Sequence, residues 1–178
     1  IPNYKVSTKS YKSNITTGAW RAPYTNFLAF AEQSFFDELA LELSKDPVQL
    51  RLELLQNVKD TKDEKIEYSG ERMQDTIKLA AKKGNWGNPR EGVYQGFAAY
   101  YSHNTHVAQL AEVELKNGSP IVTKVIAAVD CGIIINPTGA INQIQGGVID
   151  GLGHAMYGDL TFENGKPSNK NFDTYRLI

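Results

Sequence analysis

Two short stretches place polar side chains where they suit ligand binding. In TGAWRAP (17–23), Trp20 and Arg21 stand side by side in a loop bounded by Gly18 and Pro23. A guanidinium is a planar fork matched to phosphate or carboxylate, although a single loop arginine more often ends in water. In the stretch from Gly139 to Gly158, helical spacing puts Gly139, Gln143, Gly147 and Gly151 on one face, bare except for Gln143. Each interior helix glycine costs about 1 kcal/mol against alanine, so something must come close to this backbone. Either another element packs at very short distance, or a flat ligand lies on the face with Gln143 as amide donor and acceptor. The pattern alone favours packing. Gly147-x-x-x-Gly151 also matches the close-packing motif of membrane helices, but Asn142, Gln143, Gln145 and Asp150 interrupt the apolar run.

Other candidate chemistry has a plainer reading. His103 and His106 form an HxxH. Their surroundings read as strand or turn, with Asn104-Thr105 as the turn, where residues three apart face opposite sides. Asp37, Glu38 and Glu42 read as a solvated helix face with ordinary i,i+4 spacing. Cys131 closes an apolar strand and reads as a small buried residue, not a nucleophile. There is no GxSxG, P-loop or GxGxxG in a strand–helix context. With one cysteine in 178 residues the chain forms no internal disulfide, Cys-based zinc site or iron–sulfur cluster of its own. A net charge of −1, with scattered lysines, carries no footprint for nucleic acid or an anionic membrane. No transmembrane run is present. The compartment stays open between cytoplasm and periplasm.

These residues need elements to hold them. Residues 1–11 alternate loosely and read as a strand, and 13–26 as a loop. The next stretch starts a helix with Leu28, Phe35, Leu39 and Leu43 as its buried stripe. Asp46 caps a second helix with Pro47 at its first position and Gln49 placed as in a capping box; Leu50 and Leu54 share its inner face. Residues 58–70 read as a charged link. A third helix follows from Glu71, closed by Lys82, Lys83 and the stop glycine Gly84. From Val93 the period becomes that of strands, with hairpin turns at Asn117-Gly118 and Asn164-Gly165. Between these hairpins a helix over about 138–157 carries an apolar stripe of Ile144, Val148, Leu152 and Ala155. The class is α+β: helices, then antiparallel strands with one long glycine-rich helix. The expected lobes are a helical 1–90 and a mixed 91–178. The start at Ile1 and the apolar end NFDTYRLI read as cut ends, so a fragment is expected.

In this order the blocks GAWRAP, AFAEQSFFDELALELSKDPVQLRLELL, HVAQLAEVEL, AAVDCGIIINP, NQIQGGVIDGLGHAMYG and NFDTYRLI resemble the large, molybdenum-binding subunit of the xanthine dehydrogenase / aldehyde oxidase family. The likeness is closest to the isoquinoline 1-oxidoreductase beta-subunit type and covers nearly the whole chain. Gln145 stands where that family usually has glutamate, and RAPYTN replaces a more common glycine-rich continuation. The resemblance implies a piece, 1–178, of a molybdopterin-binding domain. It implies a molybdenum pyranopterin cofactor of unknown nucleotide form. The reaction implied is hydroxylation of an N-heterocycle or oxidation of an aldehyde, with water as oxygen source. It also implies [2Fe-2S] clusters on a partner, a small iron–sulfur subunit. Trp20 and Arg21 match the loop beside the cofactor, and Gln143 matches the glutamine that hydrogen-bonds the pterin. Gly146, Gly147 and Gly151 keep the backbone low beneath it. The family's catalytic glutamate belongs to a Gly-x-Gly-Glu-type motif downstream of the NF…Y segment, so no catalytic base is expected within 1–178 and the chain alone is expected to be inactive. The competing expectation is a folded, non-catalytic fragment or subunit-interaction domain without cofactor.

Overall fold

Local chemistry at the element ends explains most of the boundaries in the computed structural model, which describes residues 5–56, 58, 61–63 and 66–178. Helix α1 covers Thr25–Glu42 and α2 covers Pro47–Leu55. The Asp46 carboxylate accepts from the Gln49 N–H at 2.8 Å, with Pro47 at the first helical position, so two backbone donors that a helix start leaves open cost nothing here. The other oxygen of Asp46 accepts from the Trp86 indole at 2.7 Å, tying α2 to the loop after helix α3, Gly70–Lys83. Ser69 caps α3, with Glu71 in its first turn and Lys82 and Lys83 in its last, both signs matched to the helix dipole. Gly84 ends α3 with φ −87°, so its lack of a side chain serves packing and not a left-handed turn. A Cβ there would lie 2.5 Å from Leu110 Cδ1.

The charged stretch before α3 holds a short antiparallel pair, β1 (Thr61–Asp63) with β2 (Ile66–Tyr68). Strands β3 (Val93–Ser102), β4 (Thr105–Lys116) and β5 (Ser119–Asp130) form an antiparallel sheet in the order β3-β4-β5. Both connecting turns have two residues with positive φ: His103 and Asn104 at 50° and 55°, Asn117 and Gly118 at 51° and 78°, the twist that two-residue hairpins prefer. The first turn therefore falls one residue earlier than Asn104-Thr105. On β4 the side chains of His106, Ala108, Leu110 and Glu112 are buried in strict alternation. Ala108 and Leu110 of this row join Phe97, Ala99 and Ala128 in the core, which Met73, Ile77 and Ala80 of α3 complete together with Val48 of α2.

Helix α1 guards the open edge of β3. The buried Gln33 Oε1 accepts from the Ala99 N–H at 3.0 Å and from Arg51 Nε at 3.0 Å. Arg51 is only 4% exposed and also donates to Pro47 O (2.9 Å), Gln33 O (3.2 Å) and Asp37 Oδ1 (2.8 Å). This network chooses the inner face of α1. Gln33 and Ala40 are buried, whereas Leu28, Phe35 and Leu43 of the expected stripe are 43%, 47% and 51% exposed. The apolar periodicity misassigns that face because a polar network, not leucines, makes the contact.

The chain divides into two compact units, one of Ala22–Ile133 and one of Ile1–Arg21 with Ile134–Ile178. The second unit holds helix α4 (Pro137–Tyr157) and a small hairpin of β6 (Phe162–Glu163) and β7 (Lys166–Pro167), turned by Asn164 and Gly165 at φ 50° and 77°. Residues 5–11 carry no strand; residues 1–4 of that expected element lie outside the described residues. Among the described residues no helix is long and apolar enough to cross a membrane.

Candidate functional site

Helix α4 begins with Asn136, whose side chain accepts from the Gly139 N–H at 3.0 Å, and Pro137 follows in the first turn. A Cβ on Gly139 would lie 3.2 Å from Asn136 Cγ, so this glycine makes room for the cap. A Cβ on Gly153 would touch Ile178 at 3.5 Å. Gly146, Gly147 and Gly151 differ: an added Cβ at any of them would meet no atom within 4 Å. None of the 21 residues of α4 is buried, and Ile144, Val148 and Leu152 of its apolar stripe are half-buried while Ala155 is exposed. Among the described residues nothing packs on the central glycines, so their absent side chains leave open surface.

The loop residues reach this helix at two points. Arg21 Nη2 donates to Gln143 Oε1, joining residues 122 positions apart in sequence. The ring of Trp20 meets that of His154 edge-on, with centroids 5.9 Å apart at 86°. Gln143 and His154 are separated by roughly 16 Å along the axis at helical rise. Two adjacent residues of the loop thus hold opposite ends of one face, with Gly147, Asp150 and Gly151 between. Trp20 is 61% exposed, and Arg21, Gln143, Gly146 and Gly147 are all exposed. The carbonyl of Gln143 is engaged by a cation, which leaves the amide N–H pair toward solvent. The arrangement offers amide donors and a guanidinium beside a stretch of uncovered backbone.

Sequence reasoning missed the far end of this face. Asp150 Oδ1 lies 3.8 Å from His154 Nε2, and the Arg176 guanidinium sits 3.6 Å from the ring centre of Tyr157, a cation–π contact. The signal was available, since 143, 147, 150, 154 and 157 follow the three-and-four spacing of one helical face. Nothing in the local sequence announces Arg176.

The remaining candidates fall apart in space or in chemistry. His103 lies in a hairpin turn and His106 is fully buried on β4, its Nε2 accepting from the Ser69 N–H at 3.2 Å. Asp37 is taken by Arg51 at 2.8 Å. Among the described residues no group of three or more His, Cys, Asp or Glu side chains is placed to hold a metal ion. Cys131 is exposed, contrary to the buried position expected from its sequence neighbours. The strand ends at Asp130, where Arg72 grips the carboxylate through two hydrogen bonds of 2.8 and 2.7 Å, and the chain turns outward at Gly132 with φ 78°. Chiefly because of the Arg72 bonds, the Asp130 carboxyl is held down at about 2.

The residues present fit a flat, polar, anionic group: open backbone at Gly146, Gly147 and Gly151, amide hydrogen bonding at Gln143, and positive charge at Arg21. Comparison with known proteins points to such a group. A family model described as the molybdopterin cofactor-binding domain matches residues 29–178. A nicotinate dehydrogenase subunit of Pseudomonas putida is 28% identical over 84% of this chain and 13% of its own length. Membrane-bound aldehyde dehydrogenase [pyrroloquinoline-quinone] of Gluconacetobacter polyoxogenes is 27% identical over 89% of this chain and 22% of its own. The beta subunit of isoquinoline 1-oxidoreductase of Brevundimonas diminuta is 28% identical over 84% of this chain and 18% of its own. The chain therefore spans less than a quarter of the length of these relatives. No solved structure matches the chain significantly.

Proposed function

The chain belongs to the molybdopterin cofactor-binding domain family, and on that premise we propose that it forms part of the large subunit of a molybdenum-cofactor oxidoreductase. The substrate is a small N-heterocycle or aldehyde, and the partner is a small subunit carrying [2Fe-2S] clusters. When bound, the cofactor would supply a redox centre that replaces a substrate C–H by C–OH, with oxygen from water and release of two protons and two electrons. Residues 1–178 contribute cofactor binding. Gln143, its carbonyl held by Arg21, turns its amide N–H groups to acceptors on the pterin. Arg21 and Trp20 border the ligand, and Gly146 and Gly147 let it lie against the helix backbone. No acid–base residue of the reaction is assigned within the chain.

The observation that supports this reading most is the meeting of Arg21 with Gln143 beside three glycines that nothing covers among the described residues. The test is cofactor retention. In the complete enzyme Gln143→Ala should lower molybdenum content while the fold is kept; unchanged metal content would remove Gln143 from the site.

A further inference from the structure

The unit Ala22–Ile133 contains a cavity that shares no residue with Trp20, Arg21 or the glycine face. It has a volume of about 320 Å³ and opens between α1, α2, α3, β2 and β3, which lies within the range of small-molecule sites, ~300–1,000 Å³. Four aromatic side chains contribute to its wall: Phe36, Tyr68, Tyr100 and Tyr101. Tyr68 and Tyr101 meet edge to face, centroids 5.0 Å apart at 84°. The buried Met73 lies beneath them.

The charges around this cavity are unequal. Arg51 reaches it, but its guanidinium is committed to Asp37, Gln33 and Pro47 through four hydrogen bonds. Its charge is thereby answered by Asp37. Glu32 stands at the rim, and among the described residues it makes no hydrogen bond or ion pair. Partial dehydration on the cavity side pushes its carboxyl up, against the pull of Arg51. Tyr100, which lines the same cavity, is pushed up as well, first by burial and then by the Glu32 carboxylate.

We propose that this pocket is a binding site for a small organic cation, held by the Glu32 carboxylate and by the aromatic side chains of Tyr68, Tyr100 and Tyr101, while the Phe36 ring is already met by the Arg51 guanidinium, 5.9 Å from its centre. The choice of ligand follows from what each class would cost. An anion meets Glu32 and is repelled. A neutral ring gains the apolar contacts but covers a carboxylate without compensating it. A cation gains the contacts, pairs with Glu32 and is attracted to the negative faces of the aromatic rings, the physics by which aromatic cages hold quaternary ammonium groups.

The experiment is calorimetric titration of the chain with N-methylquinolinium and, at the same pH of about 7.5, with neutral quinoline, a ring of similar shape. The cation should bind at least tenfold more tightly than quinoline. Glu32→Gln should weaken the cation at least tenfold and bind quinoline no more weakly than wild type does, because it removes the charge that a neutral ring leaves uncompensated and keeps shape. Tyr100→Phe, which keeps the ring face, should retain cation binding within about threefold; circular dichroism confirms that each variant is folded. Three results would each overturn the proposal: no saturable binding of the cation to the folded wild type, equal affinity for the two rings, or a Glu32→Gln variant that binds the cation like wild type.

Discussion

Replacing Gln33 by leucine probes the joint between α1 and the sheet. One oxygen, Gln33 Oε1, accepts from the Ala99 N–H on the β3 edge and from Arg51 Nε, each at 3.0 Å. Both Gln33 and Arg51 are buried, at 8% and 4% exposure, so water can reach the place of the lost acceptor only from the cavity that both residues line. Leaving a buried N–H unmet costs about 1–3 kcal/mol, and a hydrogen bond from a charged donor contributes about 1.5–3 kcal/mol. Arg51 keeps its bonds to Pro47 O, Gln33 O and Asp37, which softens the second loss. Gln33→Leu should therefore destabilise the unit by about 3 kcal/mol. With a urea slope of ~2 kcal/mol per molar, the unfolding midpoint drops by roughly 1.5 M. Gln33→Glu keeps both acceptor contacts and adds a charge that Arg51 favours, so at neutral pH it should lie within about 1 kcal/mol of wild type. A leucine variant within about 0.5 kcal/mol of wild type would refute the claim that this amide seals the sheet edge.

Two further outcomes follow from the same geometry. Asp130 is held at about 2 in the folded chain against an ordinary 3.8, so its pairing with Arg72 stabilises fully above about pH 4 and is lost as pH falls through 2. The two side chains are 31% and 40% exposed, so solvent screening limits the contribution to about 1 kcal/mol. Denaturation midpoints compared at pH 6 and pH 2 should show a smaller acid loss in Arg72→Ala than in wild type. The glycines should split into two classes when replaced by alanine. Gly147→Ala enters open space and should raise the stability of the chain by about 0.5–1 kcal/mol, whereas Gly84→Ala drives a Cβ to 2.5 Å from Leu110 and should lower it by about 1–3 kcal/mol. Thermal melts of the two variants give the comparison.

What could be read from sequence was local. The Asp46-Pro47 start of α2, the Asn-Gly turns at 117–118 and 164–165 and the α4 span rest on side-chain-to-backbone bonds or on φ preferences within four residues. The α+β class followed from them. The inner face of α1 could not be read that way, because a buried amide and a buried guanidinium from another helix choose it. Cys131 was misplaced for a related reason: the apolar run before it ends at an ion pair with α3, which no neighbouring residue announces. At the candidate site, the glycine face and Gln143 were legible from helical spacing. The contact with Arg21 was not, since it joins residues 122 positions apart. The Asp150–His154 end of that face was within reach of periodicity and was overlooked.

The central claim, that the Gln143 face of α4 binds the pterin, is tested most directly by measuring molybdenum and pterin together in the complete enzyme. Gln143→Ala should be compared with Gln145→Ala, a change of the same size two residues along the same helix. The account predicts that Gln143→Ala loses both metal and pterin in equal proportion, at unchanged unfolding midpoint of the unloaded protein, while Gln145→Ala keeps wild-type content. Full and equal retention of metal and pterin in the two variants would contradict it.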